Sequence, residues 1–149
     1  MRFGLFANIG RRGAKDAIDT FVQWTRSTGH EVVLSTDLAV FTGEHLTYIP
    51  SAEIAKRSDI VVSMGGDGTM IASARDIGRA GTPILGINLG SLGFLTQLTP
   101  KQLVEALDAI VEGKYLIEER MLLKASVEGE HQPSWPYALN DVVIDKGAV

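Results

Sequence analysis

One carboxylate set among three glycines is the strongest chemical signal in this chain: Gly65-Gly66-Asp67-Gly68-Thr69. The apolar run Ile60-Val61-Val62-Ser63-Met64 leads into it, and a helix-like pattern, Met70 to Arg75, leads out. A buried strand that enters a glycine turn and starts a helix at once gathers free backbone N–H groups at a helix N-terminus, where an anion can sit. Asp67 is not needed to grip a phosphate and would repel one. An acid among phosphate-binding amides therefore reads as a proton acceptor or a magnesium ligand, and the turn reads as a phosphoryl-transfer site. The plainer reading makes Asp67 or Thr69 a helix cap, worth about 1 kcal/mol. A cap needs one polar residue and not three surrounding glycines. No Gly-Lys-Ser/Thr follows, so the turn is not a Walker loop.

A second cluster is Asn88-Leu89-Gly90-Ser91-Leu92-Gly93-Phe94-Leu95, directly after another apolar run, Pro83 to Asn88. Ligands of parallel sheets gather at the carboxyl ends of strands, so this loop and the Gly65 turn are expected on one edge. Gly90 and Gly93 allow close backbone approach, and Phe94 suits stacking on a base. The alternative is a glycine-rich bend with Phe94 and Leu95 in the core. A third candidate is Asn140-Asp141, inside the strand-like run Leu139 to Ile144. Adjacent strand residues face opposite sides, so one of the pair needs a partner. An edge strand or a hydrogen bond to a turn is the plainer account.

Near the start, Asn8-Ile9-Gly10-Arg11-Arg12-Gly13 is an imperfect dinucleotide-binding pattern with Asn in place of its first glycine. Arg11 and Arg12 are either phosphate contacts or solvated cations. His30, His45 and His131 have no ligand spacing, so no metal site is assigned from them. Ser91 has no nucleophile-elbow context.

The elements that must position these residues alternate. Strands are expected at Phe3–Ala7, Glu31–Ser35, Ile60–Met64 and Pro83–Asn88. Helices are expected at Ala14–Ser27, Thr69–Arg79 and from Thr99 or Pro100 to about Glu112. Residues 36 to 50 show no clear period, and Ser51 suits a cap for a short helix to Arg57. Near-continuous apolar strands alternating with helices predict an α/β fold: a parallel, Rossmann-like sheet with helices on both faces. After Gly113 the pattern turns β-rich. Tyr115 to Glu128 and Tyr137 to Asp145 are expected to pair as an antiparallel hairpin. The expected organisation is residues 1–113 as an α/β nucleotide- and phosphate-binding domain and 114–149 as the first strands of a β-rich domain that this chain does not finish.

The chain's 149 residues suffice for a real core, and 45% are apolar. A net charge of −4 gives no support for nucleic-acid binding. Cysteine is absent, which excludes disulfides and thiol chemistry and fits a reducing cytosol. The start reads as a strand and not a signal peptide, and no apolar stretch is of membrane-spanning length. A cytoplasmic protein without a membrane or nucleic-acid partner is expected.

Taken together, the three clusters resemble the NAD kinase family. The first, Gly65 to Thr69, is shared with diacylglycerol, sphingosine and phosphofructo-kinases; Asn88 to Leu95 and Ala138-Leu139-Asn140-Asp141 narrow the match. The resemblance covers nearly the whole chain but about the N-terminal half of a typical member. It implies phosphorylation of the 2′-hydroxyl of the adenosine ribose of NAD, with ATP or inorganic polyphosphate as donor and Mg²⁺ or Mn²⁺ required. On that resemblance Asp67 matches the acid that activates the hydroxyl, and Gly65, Gly66, Gly68, Thr69 and Asn88 match the phosphate- and nucleotide-facing segments. Phe94 matches an aromatic near the adenine. Asn140 and Asp141 match an Asn-Glu pair that contacts NAD, here with an acid one methylene shorter. A homo-oligomer is implied at full length, and little activity is expected of this chain alone. Rival readings are a lipid or sphingoid kinase sharing the Asp67 turn, an NAD-dependent Rossmann oxidoreductase using Asn8–Gly13 and Asp37, and a binding module without turnover.

Overall fold

In the computed structural model, residues 1–42, 46–90, 93–96, 98–129 and 135–144 are described. His45, His131, Ser91, Leu92 and the expected strand end at Asp145 lie outside them. The chain divides into two compact units, Met1–Leu116 and Ile117–Val149.

The first unit is a five-stranded sheet in the order β3-β2-β1-β4-β5. Its strands are β1 (Arg2–Ala7), β2 (Glu31–Ser35), β3 (Thr47–Ile49), β4 (Ile60–Gly65) and β5 (Ile84–Asn88). Every pairing is parallel. The helices are α1 (Ala14–Thr28), α2 (Ala39–Thr42), α3 (Ser51–Ile54), α4 (Asp67–Ile77) and α5 (Leu103–Val111). The chain winds outward from β1 to β3, then returns to place β4 on the other side of β1. The direction of winding thus reverses between β1 and β4, the place where open α/β sheets leave a crevice.

Strand alternation builds two cores. Phe3, Leu5, Leu34, Ile60, Val62 and Met64 face one way, under Ile18, Phe21 and Trp24 of α1 and Leu103, Leu107 and Ile110 of α5. Phe6, Val33, Ile49 and Val61 face the other way, under Ile54 of α3 and Ile77 of α4. A period of two in each strand, with both faces covered, is what a parallel sheet demands. The indole N–H of Trp24 donates to Asp108 Oδ1 at 2.8 Å and ties α1 to α5. On the other face the hydroxyls of Ser63 (β4) and Ser73 (α4) pair at 2.8 Å, both buried.

Two local expectations are corrected and one is met. Residues 36 to 50 hold the edge strand β3, too short to show a period. Ser51 is the first residue of α3, with Pro50 at the cap position and no side-chain cap bond. Thr99 does cap, in a reciprocal arrangement with Gln102.

The second unit contains β6 (Leu123–Lys124) and β7 (Tyr137–Ala138), paired antiparallel. The hairpin is present but much shorter than expected, and Asn140 and Asp141 lie beyond β7 in non-strand backbone. Met121, Val143 and Ile144 are exposed. Without a layer to bury such residues, an isolated pair of strands has little to hold it extended.

Candidate functional site

The Gly65 turn and the Asn88 loop stand on one edge. Gly65 and Asn88 are register partners of β4 and β5, and the Leu89 amide donates to the Gly65 carbonyl at 2.7 Å. The Asn88 amide donates to the Leu98 carbonyl at 2.7 Å, so the loop leaves the sheet and folds back onto it. The Asn88 side chain is buried and used within this loop: Oδ1 accepts from the Gly90 amide at 2.8 Å, and Nδ2 donates to the Thr96 carbonyl at 3.4 Å. The loop after β1 joins the same edge, since the Asn8 amide donates to the Met64 carbonyl at 2.8 Å.

Asp67 is the first residue of α4, with Gly66 at the cap position and no side-chain cap bond there. The simple capping account of Asp67 or Thr69 therefore does not describe the turn. The Asp67 carboxylate reaches across to the second loop: Oδ2 accepts from the Phe94 amide at 2.9 Å, and Oδ1 from the Leu95 amide at 3.1 Å and the Thr96 hydroxyl at 3.3 Å. These donors hold its carboxyl below the usual aspartate value. The Phe94 amide is the largest cause; burial opposes it, and the amides of Leu95 and Thr96 and the Thr96 hydroxyl add to it. Asp67 is thus ionised at neutral pH. Oδ2 carries one of these bonds and keeps capacity to accept another proton donor.

The glycines of the two loops have different reasons to be glycine. A side-chain carbon on Gly65 would lie 2.6 Å from Thr69 Cβ, and one on Gly93 would lie 2.6 Å from Asp67 Cγ. Both are space that a neighbouring side chain occupies. A carbon on Gly68 would meet nothing within 4 Å, and one on Gly66 only Arg11 Nη2 at 3.8 Å. Gly66 has extended backbone, φ −124°. The fold therefore has room for side chains at 66 and 68, the residues on either side of Asp67.

Phe94 is 86% exposed, which rules out its place in a core and leaves its ring free for a ligand. Thr69 packs over Gly65, while Thr96 is buried against Gly86. Thr96 is a site residue that sequence reasoning missed; a lone Thr three residues past Gly93 carries no signal of its own. Asn140 and Asp141 are exposed and belong to the other unit. Asp37, the acid of the dehydrogenase reading, accepts from the Ser35 hydroxyl just beyond β2. Among the described residues no group of three or more His, Cys, Asp or Glu could hold a metal ion, and no helix is long and apolar enough to cross a membrane.

A family profile, the ATP-NAD kinase N-terminal domain, matches residues 3–115. This chain belongs to the NAD kinase family. It is 38% identical over 148 residues to an NAD kinase of Thiobacillus denitrificans, spanning 97% of this chain and 50% of that one. It is 37% identical over 147 residues to an NAD kinase of Moorella thermoacetica, spanning 99% and 47%. The chain thus spans about half the length of these relatives. A crystal structure of yeast NADH kinase complexed with NADH has the same fold: TM-score 0.71 at 17% identity, over 94% of this chain and 47% of that one. The family match bears out the resemblance drawn from the three clusters and does not favour the oxidoreductase or lipid-kinase readings.

Proposed function

We propose that this chain carries the phosphoryl-transfer part of an NAD kinase site, at which a phosphoryl group passes from ATP or inorganic polyphosphate to the 2′-hydroxyl of the adenosine ribose of NAD to give NADP. One observation carries the reading: Asp67, its carboxylate held by the amides of Phe94 and Leu95, stands between two glycines at which the fold itself leaves room for a side chain. Gly65, Gly66, Gly68 and Thr69 form the phosphate-facing turn. Asn88 shapes the second loop from within, and Phe94 offers its exposed ring to the adenine. Asn140 and Asp141, in the β-rich region of residues 114–149, supply NAD contacts, and residues 1–113 form the α/β domain.

A carboxylate with a depressed pKa is a weak base, and that suits this chemistry. In a loose phosphoryl-transfer transition state the protein contributes mainly positioning and charge compensation. Asp67 then orients the hydroxyl through Oδ2 and takes its proton late. A divalent cation, Mg²⁺ or Mn²⁺, would be held by phosphate oxygens of the donor with water completing its shell, since the remaining capacity of the Asp67 carboxylate goes to the hydroxyl. When bound it neutralises charge on the transferring group. A cytoplasmic, homo-oligomeric enzyme completes the reading.

The test joins this chain to the C-terminal half of the Thiobacillus denitrificans enzyme. NADP is expected from NAD, ATP and Mg²⁺ with the chimaera, and little from the 149-residue chain alone. A soluble chimaera that binds NAD yet forms no NADP with ATP or polyphosphate rejects the proposal.

A further inference from the structure

The turn lacks a Walker lysine, and its own acid repels phosphate. Besides the divalent cation, a positive side chain for the phosphates would have to come from elsewhere on the edge. The loop after β1 is braced for that purpose: Asn8 Oδ1 accepts from the Gly10 amide at 3.1 Å, the Asn8 carbonyl accepts from the Arg11 amide at 3.1 Å, and the Arg11 carbonyl accepts from the Ala14 amide at 3.1 Å. Gly13, with φ 80°, then turns the chain into α1. This places the Arg11 guanidinium across the gap between the two glycine segments. Nη2 comes within 3.8 Å of where a Gly66 side chain would begin, and Nη1 within 3.6 Å of where a Gly90 side chain would begin. Arg11 side-chain nitrogens make no hydrogen bond or ion pair among the described residues, while Arg2 and Arg120 are both paired. Thr69 also lines a cavity of about 420 Å³, together with Ser35, Asp37 and Asp76. Its two carboxylates make it a poor place for a polyanion.

We infer that Arg11 is the phosphate-contacting cation of this site, its two terminal nitrogens gripping oxygens of the donor's phosphate chain between the Gly66 turn and the Gly90 loop. This deepens the kinase reading and rests on it. A planar guanidinium presents a fork of donors that matches phosphate oxygens, and glycines on either side let those oxygens come close. Arg12, next in sequence, has no such neighbour and serves as the control.

The probe is inorganic tripolyphosphate, titrated calorimetrically into the 149-residue chain with thermal melts recorded for each variant. Arg11→Ala is expected to weaken binding at least about tenfold, the loss expected when hydrogen bonds to a charged group are removed. Arg11→Lys should recover part of the loss, as the charge remains but the fork does not, and Arg12→Ala should stay within about twofold of the parent. Equal binding by parent and Arg11→Ala, equal loss in Arg12→Ala, or no binding by the parent chain overturns the inference. NADP formation by the parent chimaera is a separate readout. NADP without an Arg11 effect removes the clamp and leaves the kinase. An Arg11-dependent tripolyphosphate site without NADP leaves the clamp and removes the kinase.

Discussion

Asp67 and the glycines around it separate what the fold needs from what a ligand needs. Gly65→Ala forces a carbon against a β-branched side chain close to the backbone, and should destabilise by about 1–3 kcal/mol in urea denaturation, the usual range for overpacking. Gly68→Ala meets open space in a helix, so its stability should be unchanged or raised by up to about 1 kcal/mol. The same Gly68→Ala variant should lose tripolyphosphate binding. Retained binding would mean that the open face at 68 is not where phosphate lies. A second expectation concerns pH. The Asp67 carboxyl titrates below the ordinary value, so its bonds to the second loop are fully present above about pH 3.9 and are lost only as pH falls through the lower folded value. The amide resonances of Phe94 and Leu95 should therefore shift together in strong acid and stay flat from pH 5 to 8; a midpoint above 4 would contradict the assignment. The sequence made Asp67 legible because few other demands put one acid among three glycines. It did not show that the carboxylate is already engaged by amides 27 and 28 residues away, because a long-range bond of this kind leaves no periodic trace.

At the scale of elements, the site depends on how firmly α4 is fixed to β4. The buried Ser63–Ser73 hydroxyl pair does this directly below the turn. Ser73→Ala, which takes away the partner of the buried Ser63 hydroxyl, should cost about 1–3 kcal/mol, and Ser63→Ala should cost less, since the Ser73 hydroxyl keeps its bond to the Thr69 carbonyl. The double variant should cost clearly less than the sum of the singles, measured as a double-mutant cycle in urea. Strict additivity would show that the two hydroxyls do not support each other. The strands β1, β2, β4 and β5 were legible as apolar runs because a parallel sheet buries both faces of each. The edge strand β3 was not, since Thr47–Ile49 offers only three residues, too few to show a period. The strands read after Gly113 failed for the opposite reason. Their residues favour extended backbone, but Leu116, Ile117, Met121 and Val143 are exposed, and intrinsic preference alone fixes only two residues per strand.

At the scale of the molecule, the Asp67 carboxylate, the glycines of the two loops and Arg11 share one sheet edge where the winding direction reverses. The relatives it matches are about twice as long, so the activity is best read in the chimaera with the Thiobacillus denitrificans C-terminal half. The decisive measurement is turnover and NAD affinity of that chimaera with Asp67→Asn. Removing a positioned proton acceptor should lower kcat by on the order of 10²–10⁴ while the dissociation constant for NAD stays within a few-fold. A kcat within about threefold of the parent, with NADP still the product, would show that the carboxylate at the head of α4 takes no part in the transfer.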